Sequence, residues 1–293
     1  MLKEQSFNTG IVTINYAEGP PSGSPLVMVH GLPGSWQEFL PIIPTLTMRW
    51  QIYALDSRGQ GKSGHMPGRY LPADYTSDLN AFLHTQLTEP AVLFGLSAGG
   101  LVALDTAARN PDKVRAIIIG DSPIDIEALL ARMNTVEFCR YFTALREIAA
   151  SERSLPEIAQ SLAEIPLPVP DQDPPVRYGD LPMADDAYLR YWAKTVNQMD
   201  PDILEYHAEG RAQEFLRDID LNYILRKITC PVLLIQGNPE LGGLMTDRVV
   251  ANSLEILPDV SHVLLDKTGH DLGLTAWEVA PLLRAVNDFL ESL

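Results

Sequence analysis

The sequence predicts an α/β protein with a mostly parallel, doubly wound sheet and an inserted helical cap. Short runs rich in Val, Ile and Leu recur along the chain without polar alternation, as in strands that are buried on both faces. Helical patterns lie between these runs, and strands that alternate with helices favour parallel pairing. A long stretch without a strand pattern interrupts the alternation at 123–223. These three observations predict the fold class.

The central strands and helices follow from apolar runs and their boundaries. Seven runs are predicted to be strands, at 11–16, 25–31, 50–56, 90–96, 114–121, 231–237 and 261–267. Helices are predicted at 72–86, 98–109 and 277–292. The second of these begins directly after Ser97 and ends before Asn110-Pro111, because the residue before a proline disfavours helix.

The interrupting stretch is predicted to be a helical cap over one end of the sheet. Helical patterns within it are assigned to 125–150, 154–164, 185–198 and 202–216, and a proline-rich passage lies at 166–175. The stretch is too long for a loop and lies between two core strands. We therefore divide the chain into a core, 1–122 with 224–293, and a cap, 123–223. A second domain packed at the side of the sheet is the alternative.

Composition excludes several classes of partner. The chain has 293 residues and a formal net charge of -16, and such a surface repels the phosphates of nucleic acids. The N-terminus lacks the apolar segment of a signal peptide, and no apolar run is long enough to cross a bilayer. The two cysteines match no metal or disulfide pattern. We expect a cytoplasmic protein that acts on a small molecule without a metal or cofactor; the oligomeric state stays open.

A serine on a tight corner is the first sign of chemistry. Gly95-Leu96-Ser97-Ala98-Gly99 matches the pattern G-x-S-x-G of a nucleophile elbow. The pattern alone is common, but this match closes an apolar strand and opens a helix, where such an elbow belongs. The glycines let strand and helix approach closely. We interpret Ser97 as a nucleophile; the alternative is a helix N-cap.

A serine nucleophile needs a base and an acid that orients the base. In sheets of this type the partners follow in the order Ser, Asp or Glu, His. His270 comes just after the last apolar strand and is the candidate base. Glu240 is the first carboxylate beyond the strand at 231–237 and is chosen as the acid. Asp121, after the preceding strand, is the alternative, because some folds of this class take the acid there.

The oxyanion of a tetrahedral intermediate needs two main-chain N–H donors. Ala98 is expected to supply one, at the positive end of its helix. The other is expected from the loop HGLPG after the strand at 25–31. Pro33 has no N–H, so Leu32 is the candidate. A plain tight turn is the alternative interpretation of this loop.

A glycine-rich segment at 59–64 imitates nucleotide-binding motifs. It spells G-x-G-x-x-G and contains Gly-Lys-Ser, but a P-loop needs glycine at position 56, where Asp56 stands. A dinucleotide motif would open a helix, whereas two prolines follow here. We interpret DSRGQGKSG as a structural loop next to the active site.

The chain resembles the α/β-hydrolase superfamily over nearly its whole length. Four segments carry this resemblance, in this order: HGLPGSW, DSRGQGKSG, GLSAGG and the Gly-His at 269–270. The first two are most similar to the epoxide hydrolase and dehalogenase branch, which uses an aspartate nucleophile where this chain has Ser97. The resemblance implies the α/β-hydrolase fold. Because a serine alkoxide adds to a carbonyl, it also implies acyl chemistry rather than displacement at saturated carbon. The loop NPELGG lacks the family's common Asp.

The sequence therefore predicts a serine hydrolase of carboxylic esters that works through an acyl-enzyme on Ser97. Lactones, amides or a C–C bond are alternative substrates for the same groups, and a ligand-binding member of the fold is a further alternative. Apolar or aromatic substrates are expected if aromatic side chains of the cap face the site. The candidate substrate contacts are Trp36, Leu96, Phe138, Tyr141, Phe142 and Trp192.

Overall fold

Eight strands form one sheet in this computed structural model, which describes residues 2–168 and 174–293. The strands are β1 Lys3–Asn8, β2 Thr13–Glu18, β3 Pro25–Val29, β4 Gln51–Leu55, β5 Ala91–Leu96, β6 Val114–Gly120, β7 Val232–Gly237 and β8 Val260–Leu265. Their spatial order is β1-β2-β4-β3-β5-β6-β7-β8. β1 pairs antiparallel with β2 and β2 with β4, and the other neighbours are parallel. The predicted fold class, a mostly parallel α/β sheet, is confirmed.

Strand β1 was not predicted, because its sequence KEQSFN lacks an apolar run. Only Phe7 of this strand is buried. The strand lies at the edge of the sheet, where one face of a strand and one row of its main-chain groups can stay in water. The seven predicted strands are all present, with ends that differ by one or two residues from the sequence-based boundaries.

Twelve α-helices lie within the described residues. They are α1 Ile43–Leu46, α2 Pro72–Gln86, α3 Ala98–Arg109, α4 Ile126–Met133, α5 Val136–Ala149, α6 Leu155–Ala163, α7 Asp186–Asn197, α8 Glu205–Ala208, α9 Ala212–Phe215, α10 Leu221–Lys227, α11 Asp247–Ile256 and α12 Ala280–Glu291. Short 3-10 turns occupy Trp36–Phe39, Pro111–Lys113, Tyr178–Asp180, Pro201–Leu204 and Pro239–Leu241. The predicted helices at 72–86 and 98–109 have the bounds of α2 and α3.

Helices cover both faces of the sheet. Successive side chains of each strand point alternately to one face and to the other. On β3, Val27 belongs to the apolar core that contains Phe82 of α2. Its neighbour Met28 belongs to the core on the other face, which contains Val286 of α12. Both strand residues are completely buried. This alternation explains why the central strands are mostly apolar on both faces, as in PLVMV of β3 and AVLFGL of β5.

The predicted cap corresponds to α4–α9, which lie between β6 and β7 in the chain. The single helix predicted at 125–150 is two helices, because Thr135 caps α5 by accepting the N–H of Phe138. The helix predicted at 202–216 is broken into short pieces around Gly210, whose φ is +65°. The predicted boundary at 223 falls inside α10, which packs against α3. Residues 169–173 of the proline-rich passage lie outside the described residues.

Candidate active site

Ser97 occupies a strained corner between β5 and α3. Its backbone has φ +53° and ψ −123°, a region that side chains other than glycine rarely adopt. The corner closes because its neighbours lack Cβ atoms. A Cβ at Gly95 would lie 2.3 Å from the Gly99 carbonyl oxygen, and a Cβ at Gly99 would lie 2.2 Å from that of Val29. The two glycines therefore let strand and helix meet at the tight turn that presents Ser97.

A hydrogen-bonded relay joins three side chains that come from separate parts of the chain. Nε2 of His270 lies 2.9 Å from Oγ of Ser97, and Nδ1 lies 2.7 Å from Oδ2 of Asp121. Ser97 follows β5, Asp121 follows β6, and His270 lies on the loop after β8. If Nδ1 donates its proton to the Asp121 carboxylate, Nε2 is free to accept the serine proton. This arrangement can convert a hydroxyl group into a nucleophile.

Three main-chain N–H groups donate to the Asp121 carboxylate in addition to the imidazole of His270. Gly237 and Met245 donate to Oδ1 at 2.9 and 3.1 Å, and Leu244 donates to Oδ2 at 2.6 Å. The residue is completely buried and has a positive φ of +36°. A buried carboxylate needs such donors. The loop after β7 therefore fixes the orientation of Asp121, and through it the orientation of His270.

The structure contradicts the choice of Glu240 as the acid. Glu240 lies in the turn Pro239–Leu241, its side chain is exposed, and its N–H donates to Oδ1 of Asn238 at 2.9 Å. The loop after β7 approaches the site with its main chain, so its N–H groups face inward while this side chain faces solvent. The alternative acid, Asp121, is the carboxylate that lies against His270.

Two main-chain N–H groups are available beside the serine hydroxyl. Leu32 and Ala98, the predicted oxyanion donors, line the same cavity as Ser97 and His270. The N–H of Ala98 belongs to the first residue of α3 and has no partner within the helix. In the part of the chain that the structure describes, the N–H of Leu32 has no hydrogen-bond acceptor. Both groups can therefore bind a developing negative charge.

The segment DSRGQGKSG braces the loop that carries Leu32. Oδ1 of Asp56 accepts the N–H of Trp36 at 2.8 Å, and Oδ2 accepts the N–H of Lys62 at 3.0 Å. Oε1 of Gln60 accepts the N–H of Gly34 at 2.9 Å. The contacts to Gly34 and Trp36 tie the glycine-rich segment to the chain on the C-terminal side of Leu32, which suits a structural loop next to the site.

His30 adds a further contact between the oxyanion loop and the glycine-rich segment, and its side chain is neutral. Its Nε2 accepts the N–H of Ser57 at 3.0 Å, so its Nδ1 carries the proton and donates to the Gly31 carbonyl oxygen at 2.7 Å. Burial lowers the pKa of the His30 imidazole, and the Asp56 charge opposes this shift only in part. A neutral histidine at this position links the end of β3 to the segment after β4.

A cavity of about 680 Å³ opens above Ser97 and His270. Its walls come from the helices between β6 and β7 and from the loop after β7. Apolar side chains form most of the wall, among them Leu101, Leu129, Met133, Phe138, Phe142, Phe215 and Leu216. A cavity of this size with an apolar wall and a few polar groups is typical of a small-molecule site.

Three of the predicted substrate contacts line this cavity: Phe138, Tyr141 and Phe142, all on α5. The rings of Phe138 and Phe142 have centroids 4.5 Å apart, and those of Tyr141 and Phe142 are 5.2 Å apart. Their spacing along one helix places the three rings on one face. The expectation that aromatic side chains of the cap face the site holds for this helix.

The other three predicted contacts do not line the cavity. Trp36 lies in the core on the opposite face of the sheet, and its Nε1 donates to Oε1 of Glu4 at 3.0 Å. Leu96 points to that same face because side chains alternate along β5. Trp192 stacks on Tyr178 at 6.1 Å between centroids and is part of the packing inside the cap.

Several polar residues of the wall were not predicted from the sequence, among them Arg132 and His207. Arg132 lies in the last turn of α4, where a cation also suits the helix dipole, so its position in the sequence carried no signal for a site. His207 lies among the rings of Phe138, Phe142 and Phe215. Burial lowers the pKa of His207 to about 4, which keeps it neutral near pH 7.

The described residues contain neither a metal-binding cluster nor a membrane-spanning helix. Residues 2–168 and 174–293 hold no group of three or more His, Cys, Asp or Glu side chains placed to bind a metal ion. Across the same ranges, each helix is too short or too polar to cross a membrane.

A protein-family model described as the alpha/beta hydrolase fold matches residues 24–276. This match includes the Ser97 corner, Asp121 and the loop with His270. Among solved structures, that of E-2-(acetamidomethylene)succinate hydrolase superimposes with a TM-score of 0.69 and 23% identity. The superposition covers 99% of this chain and 100% of the other. At that identity the likeness supports the fold alone.

Curated relatives in two groups are similar over most of the chain. The 2-(acetamidomethylene)succinate hydrolase of Mesorhizobium japonicum is 26% identical over 292 residues, which cover 97% of this chain and 93% of the relative. The pimeloyl-[acyl-carrier protein] methyl ester esterase of Neisseria meningitidis is 26% identical over 257 residues, which cover 83% of this chain and 88% of the relative. The names of both relatives describe hydrolytic enzymes.

Proposed function

The chain belongs to the alpha/beta hydrolase fold family, and on that premise we propose that it is a serine hydrolase of carboxylic esters. The observation that carries the proposal is the relay in which His270 lies 2.9 Å from Ser97 and 2.7 Å from Asp121 at the base of a cavity. The acyl part or the alcohol part of the substrate is small and apolar or aromatic, to suit the wall around Phe138 and Phe142.

The first half of the reaction forms an acyl-enzyme. Oγ of Ser97 attacks the ester carbonyl carbon while Nε2 of His270 takes its proton. The carbonyl oxygen becomes an oxyanion that accepts hydrogen bonds from the N–H groups of Leu32 and Ala98. When the tetrahedral intermediate collapses, the C–O bond to the alcohol breaks and His270 returns the proton to the leaving alkoxide.

The second half releases the acid. Water gives a proton to Nε2 of His270 and attacks the acyl carbon, and a second tetrahedral intermediate forms in the same oxyanion site. The proton then returns to Oγ of Ser97 as the acyl bond breaks. Throughout both halves the Asp121 carboxylate holds the imidazole in position and stabilises its protonated form.

A second candidate is hydrolysis of an amide-type bond by the same relay. It is favoured by the relative from Mesorhizobium japonicum, whose named substrate is an acetamido compound. The chemistry differs only in the leaving group, because His270 would protonate an amine nitrogen instead of an alkoxide. Hydrolysis of lactones or of a C–C bond by the same three side chains is a further alternative, and the test below includes a lactone substrate.

The test compares wild type with Ser97→Ala on p-nitrophenyl butyrate and on matched amide and lactone substrates. We expect kcat on the ester to fall by about 10³-fold or more in the variant, and wild type to prefer the ester in kcat/KM. A fluorophosphonate probe should label wild type and not the variant. Failure of folded wild type to react with the probe would instead support a binding protein on this fold.

A further inference from the structure

The wall of the cavity carries two side chains with a fixed charge among the described residues, Asp125 and Arg132. Asp125 is compensated within the protein. Its Oδ2 accepts from Nε of Arg248 at 2.9 Å, and its Oδ1 accepts the N–H of Ala128 at 3.0 Å. Burial acts to raise the pKa of the Asp125 carboxyl, but Ala128 and Arg248 lower it below its ordinary value. Its charge is therefore already balanced.

Arg132 has no such partner. Within residues 2–168 and 174–293, its guanidinium makes no ion pair and no side-chain hydrogen bond. An arginine has five N–H donors in a planar fork, and these are available to an acceptor that enters the cavity. The chain has a net charge of -16, yet among residues 2–168 and 174–293 no carboxylate pairs with this side chain. The guanidinium is thus a charged group with its donors free.

Arg132 is one of the residues that line the cavity. Arg132 is exposed, yet desolvation by the surrounding protein lowers the pKa of its side chain, and the charge of Asp121 opposes this shift. Arg132 lines the same cavity as Ser97 and His270, which places it in the wall of the candidate site.

We infer that Arg132 binds an anionic group of the substrate, a carboxylate, while Ser97 attacks a second carbonyl of the same molecule. This inference rests on the proposed function and narrows it to esters or amides that carry a free carboxylate. The fork of a guanidinium matches the two oxygens of a carboxylate. One positive charge also balances one carboxylate, whereas a phosphate monoester would bring about two negative charges. The apolar wall suits the carbon chain between the two groups.

Two substrates of similar length and different charge test this inference. Mono-p-nitrophenyl adipate ends in a carboxylate, and p-nitrophenyl heptanoate ends in an ethyl group at the same place. Wild type is compared with Arg132→Met, which replaces the guanidinium by an uncharged end and keeps most of the aliphatic stem, and with Arg132→Lys. The matched control is Arg140→Met, an exposed arginine on α5 that does not line the cavity.

We expect Arg132→Met to lower kcat/KM for the anionic ester by about 10-fold to 100-fold and to leave the neutral ester within about twofold. Arg132→Lys should recover part of the loss, and Arg140→Met should change neither substrate. Equal effects of Arg132→Met on both esters, or no effect on either, would overturn the inference.

A binding measurement separates this inference from the proposed reaction. Monomethyl adipate is titrated by calorimetry into Ser97→Ala protein, with and without Arg132→Met. A Kd that rises by about tenfold or more supports the inference even if wild type cleaves no ester. An unchanged Kd, or no binding to either protein, contradicts it even if Ser97 proves to be an active nucleophile.

Discussion

The Asp121 carboxylate lies 2.7 Å from Nδ1 of His270, although the two residues are 149 positions apart in the chain. The strand that ends just before Asp121, β6, is the immediate neighbour of β5, which ends just before Ser97. The acid and the nucleophile thus leave the sheet side by side, and His270 reaches both from the loop after β8. The predictions below follow from this arrangement and from the contacts that support it.

Replacement of Asp121 should disable the proposed relay. Asp121→Asn keeps the size of the side chain but presents an amide to His270 and to three main-chain donors. We expect kcat on p-nitrophenyl butyrate to fall by about 10³-fold to 10⁴-fold, because the imidazole would adopt the wrong tautomer. Glu240→Gln is the matched control and should stay within about twofold. A large loss in the control and a small loss at Asp121 would restore Glu240 as the acid.

Gln60 should act as a positioning residue for the oxyanion loop. Its Oε1 accepts the N–H of Gly34 at 2.9 Å, two residues after Leu32. In Gln60→Ala this loop loses a fixed contact, so we expect kcat to fall by about tenfold with a smaller change in KM. Gln60→Glu, which retains the accepting oxygen, should recover part of the loss, and the exposed Gln86→Ala should have no effect. A change in KM alone would argue for a role in substrate binding.

The buried ion pair between Arg58 and Asp78 should contribute to stability. Arg58 is 1% exposed, and its Nε and Nη2 donate to the two oxygens of Asp78 at 2.6 and 2.7 Å. Arg58→Met would leave a buried carboxylate without its partner, at a cost of about 3 to 5 kcal/mol in the free energy of unfolding in urea. The exposed pair between Arg217 and Asp218 is the control, and Arg217→Met should cost less than about 1 kcal/mol.

His207 should make the protein less stable in acid. Burial lowers its folded-state pKa to about 4, while an unfolded histidine titrates near 6.5. Between these values the unfolded chain binds more protons, so the free energy of unfolding should fall as the pH drops from about 7 to 4. The upper limit for this loss is about 3 kcal/mol. In His207→Gln that part of the pH dependence should disappear.

The exposed His84 provides the control for this experiment. His84→Gln should leave the pH dependence of the unfolding free energy as in wild type. If His207→Gln and wild type lose stability in parallel between pH 7 and 4, the histidine at 207 is not the group responsible.

The sheet could be predicted from sequence because its central strands are buried on both faces. Such strands need mostly apolar residues, as in AVLFGL and VRAIIIG. Strand β1 could not, since KEQSFN buries one side chain and is held by pairing with β2. The break between α4 and α5 was missed because Thr135 caps a helix inside a sequence that is helical on both sides.

The site also contains residues that the sequence predicts and residues that it does not. Ser97 and His270 are marked by local patterns, a glycine corner and a Gly-His after the last strand. No local sequence pattern identifies the acid, because Asp121 and Glu240 both follow core strands. Only the three-dimensional path of the loop after β7 distinguishes the two carboxylates. The cavity wall depends on which helix faces inward, so α5 could be anticipated in part, whereas Arg132 on α4 could not.

The loop after β7 contacts the Asp121 carboxylate through main-chain N–H groups, so side chains of this loop can be changed to engineer the cavity. Every residue except proline has a main-chain N–H, so the side chain of Leu244, which lines the cavity, can be replaced without removing a donor to the acid. Two neighbours are less free: a Cβ at Gly243 would lie 2.4 Å from the Gly237 carbonyl oxygen, and Oγ1 of Thr246 caps α11 by accepting the N–H of Val249. Libraries that diversify Leu244 should thus change substrate choice while the proton-transfer groups stay in place.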